Sequence, residues 1–290
     1  MTQGTVTITF DDAYRSTYDT AFPLLRDMDM PAALFVITRW LGRSVRYKGK
    51  RIVTAEECTE LAGAGWEIGS HTVSHPNLVH VSDARLEAEL ADSRRMLESN
   101  GFDVRTIAYP GGAFDRRVYE AAARLYTYHR LAIAGRPFRT STDPHGILGN
   151  TLSDSVFKDD RWEQMLADVA QKSQWAVFVV HDLSENESGD PIGLQVANFR
   201  TFLEAIRELD VDVLTLQQAA EKHLAGIQPV FPSDYAVAPE GFQYRSTRAL
   251  YRLGLAPLLK KVAHETRAGV RVELAIWNLL SRVKNRKESS

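Results

Sequence analysis

Short continuous apolar runs alternate with stretches of helical period along most of this chain. Runs at 6–10, 32–37, 66–69, 106–109, 131–134, 176–180 and 213–215 read as strands, bounded by polar or small residues. Segments 17–28, 55–63, 83–100, 116–126, 161–173 and 194–209 read as helices. The segment from Asp83 is the best marked, with Ser82 as cap and Gly101 as stop. Strands apolar on both faces with helices between them imply a largely parallel sheet, open or closed into a barrel. From residue 228 the pattern lapses into a loop holding Pro229, Pro232 and Pro239, and 246–283 reads as helix broken near Gly254 and Pro257. The expected organisation is an α/β barrel domain over 1–227, then a linker and a basic helical extension over 228–290.

Composition agrees with a folded core, at 44% apolar and 25% charged residues. The net charge of −2 hides an asymmetry. Residues 241–290 hold 11 Lys/Arg and 3 Asp/Glu, a charge of +8, which leaves −10 on residues 1–240. The basic extension interleaves its cations with Leu and Val. It is expected to pack on the barrel or across a homo-oligomer, with peripheral contact on anionic lipid as the alternative. Sparse aromatic interleaving argues against nucleic acid. The one cysteine, Cys58, sits inside a helical pattern, permits no internal disulfide and reads as a structural thiol. No secretory pattern and no apolar run of about 18 residues is visible, so a cytoplasmic address is expected.

Four predicted strands run directly into polar residues. Thr9-Phe10 leads to Asp11-Asp12, and the strand at 66–69 leads to Ser70-His71-Thr72-Val73-Ser74-His75-Pro76. The strand at 106–109 leads to Pro110-Gly111-Gly112, and that at 176–180 to His181-Asp182. In a parallel α/β barrel such ends share one rim, which is where chemistry collects. Adjacent carboxylates at the exit of a buried strand are costly unless they meet a cation, a base or a shared proton. Two imidazoles and a carboxylate make a metal site with open positions, and the second carboxylate is left beside it.

Taken together, these four motifs are similar in order and spacing to those of the polysaccharide deacetylases, the NodB-homology domain or carbohydrate esterase family 4. The third has a Tyr-Pro-x-Gly form, and the resemblance covers roughly residues 4–225. It implies a deformed (β/α) barrel and a hydrolase that removes an N-acyl group, most often acetyl, from an amino sugar or glycan. Asp12, His71 and His75 would hold one divalent metal, with zinc first and cobalt, nickel, manganese or iron as alternatives. Asp11 would be the base and His181 the acid. Tyr109, Pro110, Gly111, Gly112 and Asp182 would contact substrate or the oxyanion. Many members carry an arginine two residues before the proline that orients the base; here that position is Ala108. The family's acid-supporting aspartate has five candidates: Asp143, Asp154, Asp159, Asp160 and Asp182. Tyr14, Arg15 and Asn77 flank the motifs as candidate sugar contacts. The alternatives are a deacylase of lipid- or nucleotide-linked sugars, deformylation included, and a catalytically silent carbohydrate-binding scaffold.

Overall fold

The computed structural model describes residues 3–41, 46–47, 49–133, 143–158, 161–186 and 190–231. The basic extension and Asp159 and Asp160 lie outside the described residues. In chain order the strands begin with β1 (Gly4–Phe10) and β2 (Ala33–Val36), then the short antiparallel pair β3 (Arg46–Tyr47) and β4 (Lys50–Arg51). Next come β5 (Glu67–Ser70), β6 (Thr106–Ala108), β7 (Tyr128–Ile133), β8 (Ile147–Thr151) and β9 (Trp175–Val180). The last are β10 (Leu183–Ser184), β11 (Leu194–Gln195) and β12 (Val211–Val213). Helices are α1 (Phe22–Arg26), α2 (Ala55–Gly63), α3 (Asp83–Ser99), α4 (Arg116–Ala123), α5 (Asp154–Phe157), α6 (Arg161–Lys172), α7 (Val196–Arg207) and α8 (Leu216–Leu224).

Pairings run β1-β2-β5-β6-β7-β8-β9 in sequence order, all parallel, and β9 pairs back onto β1 over Thr5–Phe10 to close the barrel. β12 adds beside the first half of β1, at Gly4–Val6, while β2 takes the second half at Thr9 and Phe10. The predicted barrel is therefore present.

Alternation along the strands separates two apolar layers. Ile8 and Phe10 of β1, Leu34 and Val36 of β2, and Phe178 and Val180 of β9 join the layer that also holds Leu90, Phe199 and Phe202 of the helices. Ala33, Phe35, Ala108, Ile147, Trp175 and Val177 face the other way, into the barrel, together with Leu216, Ala219, Ala220 and Leu224 of α8. Phe10 stacks on Trp66 with centroids 5.4 Å apart. Each such ring removed from water contributes roughly 1.5–3 kcal/mol. Helix α8 closes the N-terminal end of the barrel: the Gln217 backbone N–H donates to buried Glu67 at 2.7 Å, and the His223 ring stacks on Trp175.

Three expectations shift. The segment at 213–215 is not a strand throughout. The strand ends at Val213, and Thr215 caps α8 in a capping box with Gln218, because its hydroxyl accepts from the Gln218 N–H. The run at 131–134 belongs to a strand that begins at Tyr128. β8 was not expected, because Gly149 and Asn150 interrupt its apolar run. Cys58 is fully buried, and burial pushes its thiol up to about 12, as befits a structural residue. Among the described residues, no helix is long and apolar enough to cross a membrane.

Candidate active site at the strand C-termini

Asp11 follows the last residue of β1, and its backbone N–H donates to the Val180 carbonyl at 3.0 Å. That bond continues the β1–β9 pairing past the strand and brings Asp11 beside His181. The chain then turns through Asp12 (φ 67°) and Ala13 (φ 55°), both left-handed, and both carboxylates reach His71 Nε2, at 3.9 Å from Asp11 and 3.7 Å from Asp12.

The histidine loop is held from several sides. Thr72 (φ 67°) and His75 (φ 56°) are also left-handed. The Thr72 and Val73 carbonyls accept from the Thr38 and Arg39 N–H groups at 3.1 and 2.9 Å. The Thr72 hydroxyl accepts from the His75 N–H at 3.0 Å. Ser74, between the histidines, donates its N–H (2.8 Å) and its hydroxyl to Glu89 of α3, a carboxylate 5% exposed.

His71 Nδ1 lies 2.7 Å from the Ala108 carbonyl, so Nδ1 carries the proton and Nε2 presents a lone pair. Nε2 of His71 and of His75 lie 3.7 and 3.4 Å from Asp12 Oδ1. One donor atom from each of the three residues falls within 4.8 Å of the others. Two neutral imidazoles and a carboxylate at these separations suit a divalent transition ion, so the donor set fits the cation that the motifs imply.

The position vacated at Ala108 is filled from another strand. Arg130, in the middle of β7 and fully buried, donates from Nη2 to Asp11 Oδ1. Its guanidinium lies 5.1 Å over the ring of Phe35 inside the barrel. Space for it comes from Gly149, where a Cβ would fall 2.8 Å from Arg130 Cδ and 2.6 Å from Val179 Cγ2. Burial pushes the Asp11 carboxyl up, but Arg130, His71 and His181 together outweigh it and hold the group at about 2. Asp11 is an anion at any working pH.

His181 Nε2 lies 3.8 Å from Asp11 Oδ2. Burial lowers its pKa, while Asp11 and Asp12 act to raise it. Its Nδ1 is buried and has no hydrogen-bond partner among the described residues. Asp182 is therefore not its support: that carboxylate accepts from Ser16 Oγ at 2.6 Å and pairs with Lys50 Nζ at 2.7 Å. Asp154 is occupied by the Gln195 N–H and Asn198, and Asp143 by the His145 N–H.

Within the third motif, Gly111 (φ 61°) and Gly112 (φ 65°) make a left-handed turn after Pro110. A Cβ on Gly112 would lie 2.2 Å from the Ala132 carbonyl oxygen, so the loop seats only glycine there. Tyr109 is placed differently from expectation. Its ring is fully buried, stacks on Phe114 and shares a hydrogen bond with His129 Nδ1 at 2.8 Å, so it supports the loop from below and offers no face to a sugar. Of the flanking candidates, Arg15 pairs with Asp19 and Glu57, Asn77 caps a short 3-10 turn, and Tyr14 is buried.

A largely buried Asp/His/His cluster beside an arginine-paired carboxylate thus sits at the C-terminal rim of a parallel barrel, where barrel enzymes carry their chemistry. Residues 1–129 match the family model for polysaccharide deacetylase. Over 140 residues the chain is 32% identical to the putative polysaccharide deacetylase YxkH of Bacillus subtilis (strain 168), covering 48% of this chain and 47% of that one. Over 170 residues it is 25% identical to the poly-beta-1,6-N-acetyl-D-glucosamine N-deacetylase of Staphylococcus aureus (strain MRSA252), covering 54% and 58%. The chain thus spans about half the length of these curated relatives. In fold it is similar to a T48 deacetylase solved with substrate (TM-score 0.52, 15% identity, 76% of this chain and 92% of that one). It is likewise similar to the Xyl-CE4 domain of a multidomain xylanase from the hindgut metagenome of Trinervitermes trinervoides (TM-score 0.51, 17% identity, 76% and 91%).

Proposed function

We propose that the protein is a metal-dependent hydrolase that removes an N-acyl group, acetyl first, from an amino sugar within a glycan. The observation that carries this reading is the convergence of Asp12, His71 and His75 with the Asp11–Arg130 pair and His181 on one rim. The names of the relatives, poly-N-acetylglucosamine deacetylase among them, support an acetylated sugar as substrate. Asp12, His71 and His75 would hold the cation. A divalent ion held there supplies a more acidic water and polarises the acyl carbonyl.

The chain's own groups account for the protons. Asp11, kept ionised by Arg130, accepts one from the attacking water. His181 delivers one to the departing nitrogen, which must leave as an amine because an amide anion is a prohibitive leaving group. Asp11 and Asp12 are the charges that help the His181 ring hold that proton against its burial. The Gly111 backbone N–H, at the exposed turn of the third motif, is suited to the developing oxyanion.

The test is acetate release from N-acetylated oligosaccharides by protein loaded with zinc, cobalt or nickel. Asp11→Asn should lower turnover about 10²–10⁴-fold while metal content is unchanged. A fully active Asp11→Asn protein would remove Asp11 as base. Loaded protein that releases no acetate from any N-acetylated sugar would overturn the reading.

A further inference from the structure

The segment joining β2 to α2 stands apart from the rest of the barrel in charge. Between Thr38 and Thr54 the sequence carries Arg39, Arg43, Arg46, Lys48, Lys50 and Arg51 and no Asp or Glu. This +6 stretch sits in a region, residues 1–240, of net −10. Surface cations scattered for solubility are normally interspersed with acids, and these are not.

Its attachment places it at the catalytic rim. On one side the Arg39 N–H donates to the Val73 carbonyl, midway between the two histidine ligands, at 2.9 Å. On the other, Tyr14 and Ile52 form an antiparallel bridge and the Val53 N–H donates to Ala13 at 2.9 Å, directly after Asp12. A third tie is Lys50 to Asp182, next to the acid His181. The described residues of this segment, Arg39 at one end and Lys50, Ile52 and Val53 at the other, are therefore fastened to all three loops that carry the proposed metal ligands, base and acid.

Lys50 is matched by Asp182 at 2.7 Å and Asp190 at 3.6 Å. Arg39 and Arg51 are exposed, and among the described residues neither is within salt-bridge distance of a carboxylate. The Arg39 guanidinium lies 5.6 Å over the Trp40 ring, which holds it flat and lessens the entropy that binding would cost.

We propose that Arg39 and Arg51, on the segment joining β2 to α2, form an anion subsite and that the substrate is an anionic glycan, an N-acylated amino sugar carrying or neighbouring a carboxylate or phosphate group. This rests on the reading of the rim as a sugar N-deacylase and adds to it the charge of the substrate. Carboxylate and phosphate share the chemistry that Arg39 and Arg51 recognise, by paired N–H donors and positive charge.

The experiment compares the metal-loaded protein on three N-acetylated oligosaccharides of equal length: one neutral, one bearing uronate and one bearing phosphate. KM for at least one anionic substrate should be about tenfold below the neutral one at low salt and should rise toward it as salt screens the charges. Arg39→Glu/Arg51→Glu should erase that difference. Binding of the three corresponding de-acetylated oligosaccharides, measured calorimetrically, reads the same preference without turnover. It therefore separates failure of the subsite from failure of the deacylase reading. Equal affinity for neutral and anionic sugars in the native protein, or a preference that survives both the double substitution and high salt, would overturn the subsite.

Discussion

Arg130 and Gly149 act as one device. The guanidinium neutralises Asp11 inside the barrel, and the missing side chain on β8 is what leaves room for it. Arg130→Met should cost about 3–5 kcal/mol, because a buried carboxylate loses its counter-charge, and urea denaturation would measure it. Gly149→Ala should cost about 1–3 kcal/mol through overpacking against Arg130 and Val179, and should reduce turnover more than it alters metal content. A Gly149→Ala protein as stable and active as the parent would disconnect the pair. Neither residue stood out in the sequence. Arg130 is one cation in an unremarkable strand, whereas Asp11, Asp12, His71 and His75 are legible because each sits in a short motif whose members are chemical neighbours along the chain. Tyr109 was misplaced for a related reason: a motif gives position along the chain but not which way an aromatic ring turns.

Helix α3 does more than cover the barrel. Through Glu89 it grips Ser74, and through Ser93, whose hydroxyl lies 2.8 Å from that of Ser70, it grips the end of β5. The loop between His71 and His75 is thus hung from a helix residue fifteen positions beyond Ser74. Glu89→Ala should weaken zinc binding about 10–100-fold while leaving the ligands themselves in place, a change calorimetric titration would read. Unaltered affinity would mean that the loop holds its left-handed turns unaided. At this level the helices from Ala55, Asp83 and Arg161 were legible from cap and period. The strand β8 and the helix α8 were not, since Gly149 and Asn150 serve packing inside the barrel and Thr215, a β-former, is used as a cap.

Across the molecule, three half-buried or buried histidines lie away from the rim chemistry and are disfavoured as cations. Burial, then His145, holds His129 well below its ordinary value; burial lowers His145, and burial with Lys222 lowers His223. His129 and His145 stack at 3.9 Å, so their protonated forms would also repel. The unfolded chain takes up protons near 6.5 and the folded one resists them, so stability present at higher pH is lost as pH falls through that value. Urea midpoints should drop between about pH 7.5 and about pH 5.5 and change little between about pH 7.5 and about pH 8.5. A midpoint that rises on acidification would contradict it.

Strand β1 is flanked on one side by β9, which the ribosome delivers some 170 residues later. Until then β1 is an open edge on that side, and Asp11 does not have His181 beside it. A nascent chain can therefore hold the Asp11-Asp12 motif without the assembled rim, and a message cut short before β9 yields a fragment with an open strand edge. The proposed activity is in this sense a receipt for barrel closure: whatever reads turnover in a cell would read only those copies in which β1 and β9 have met.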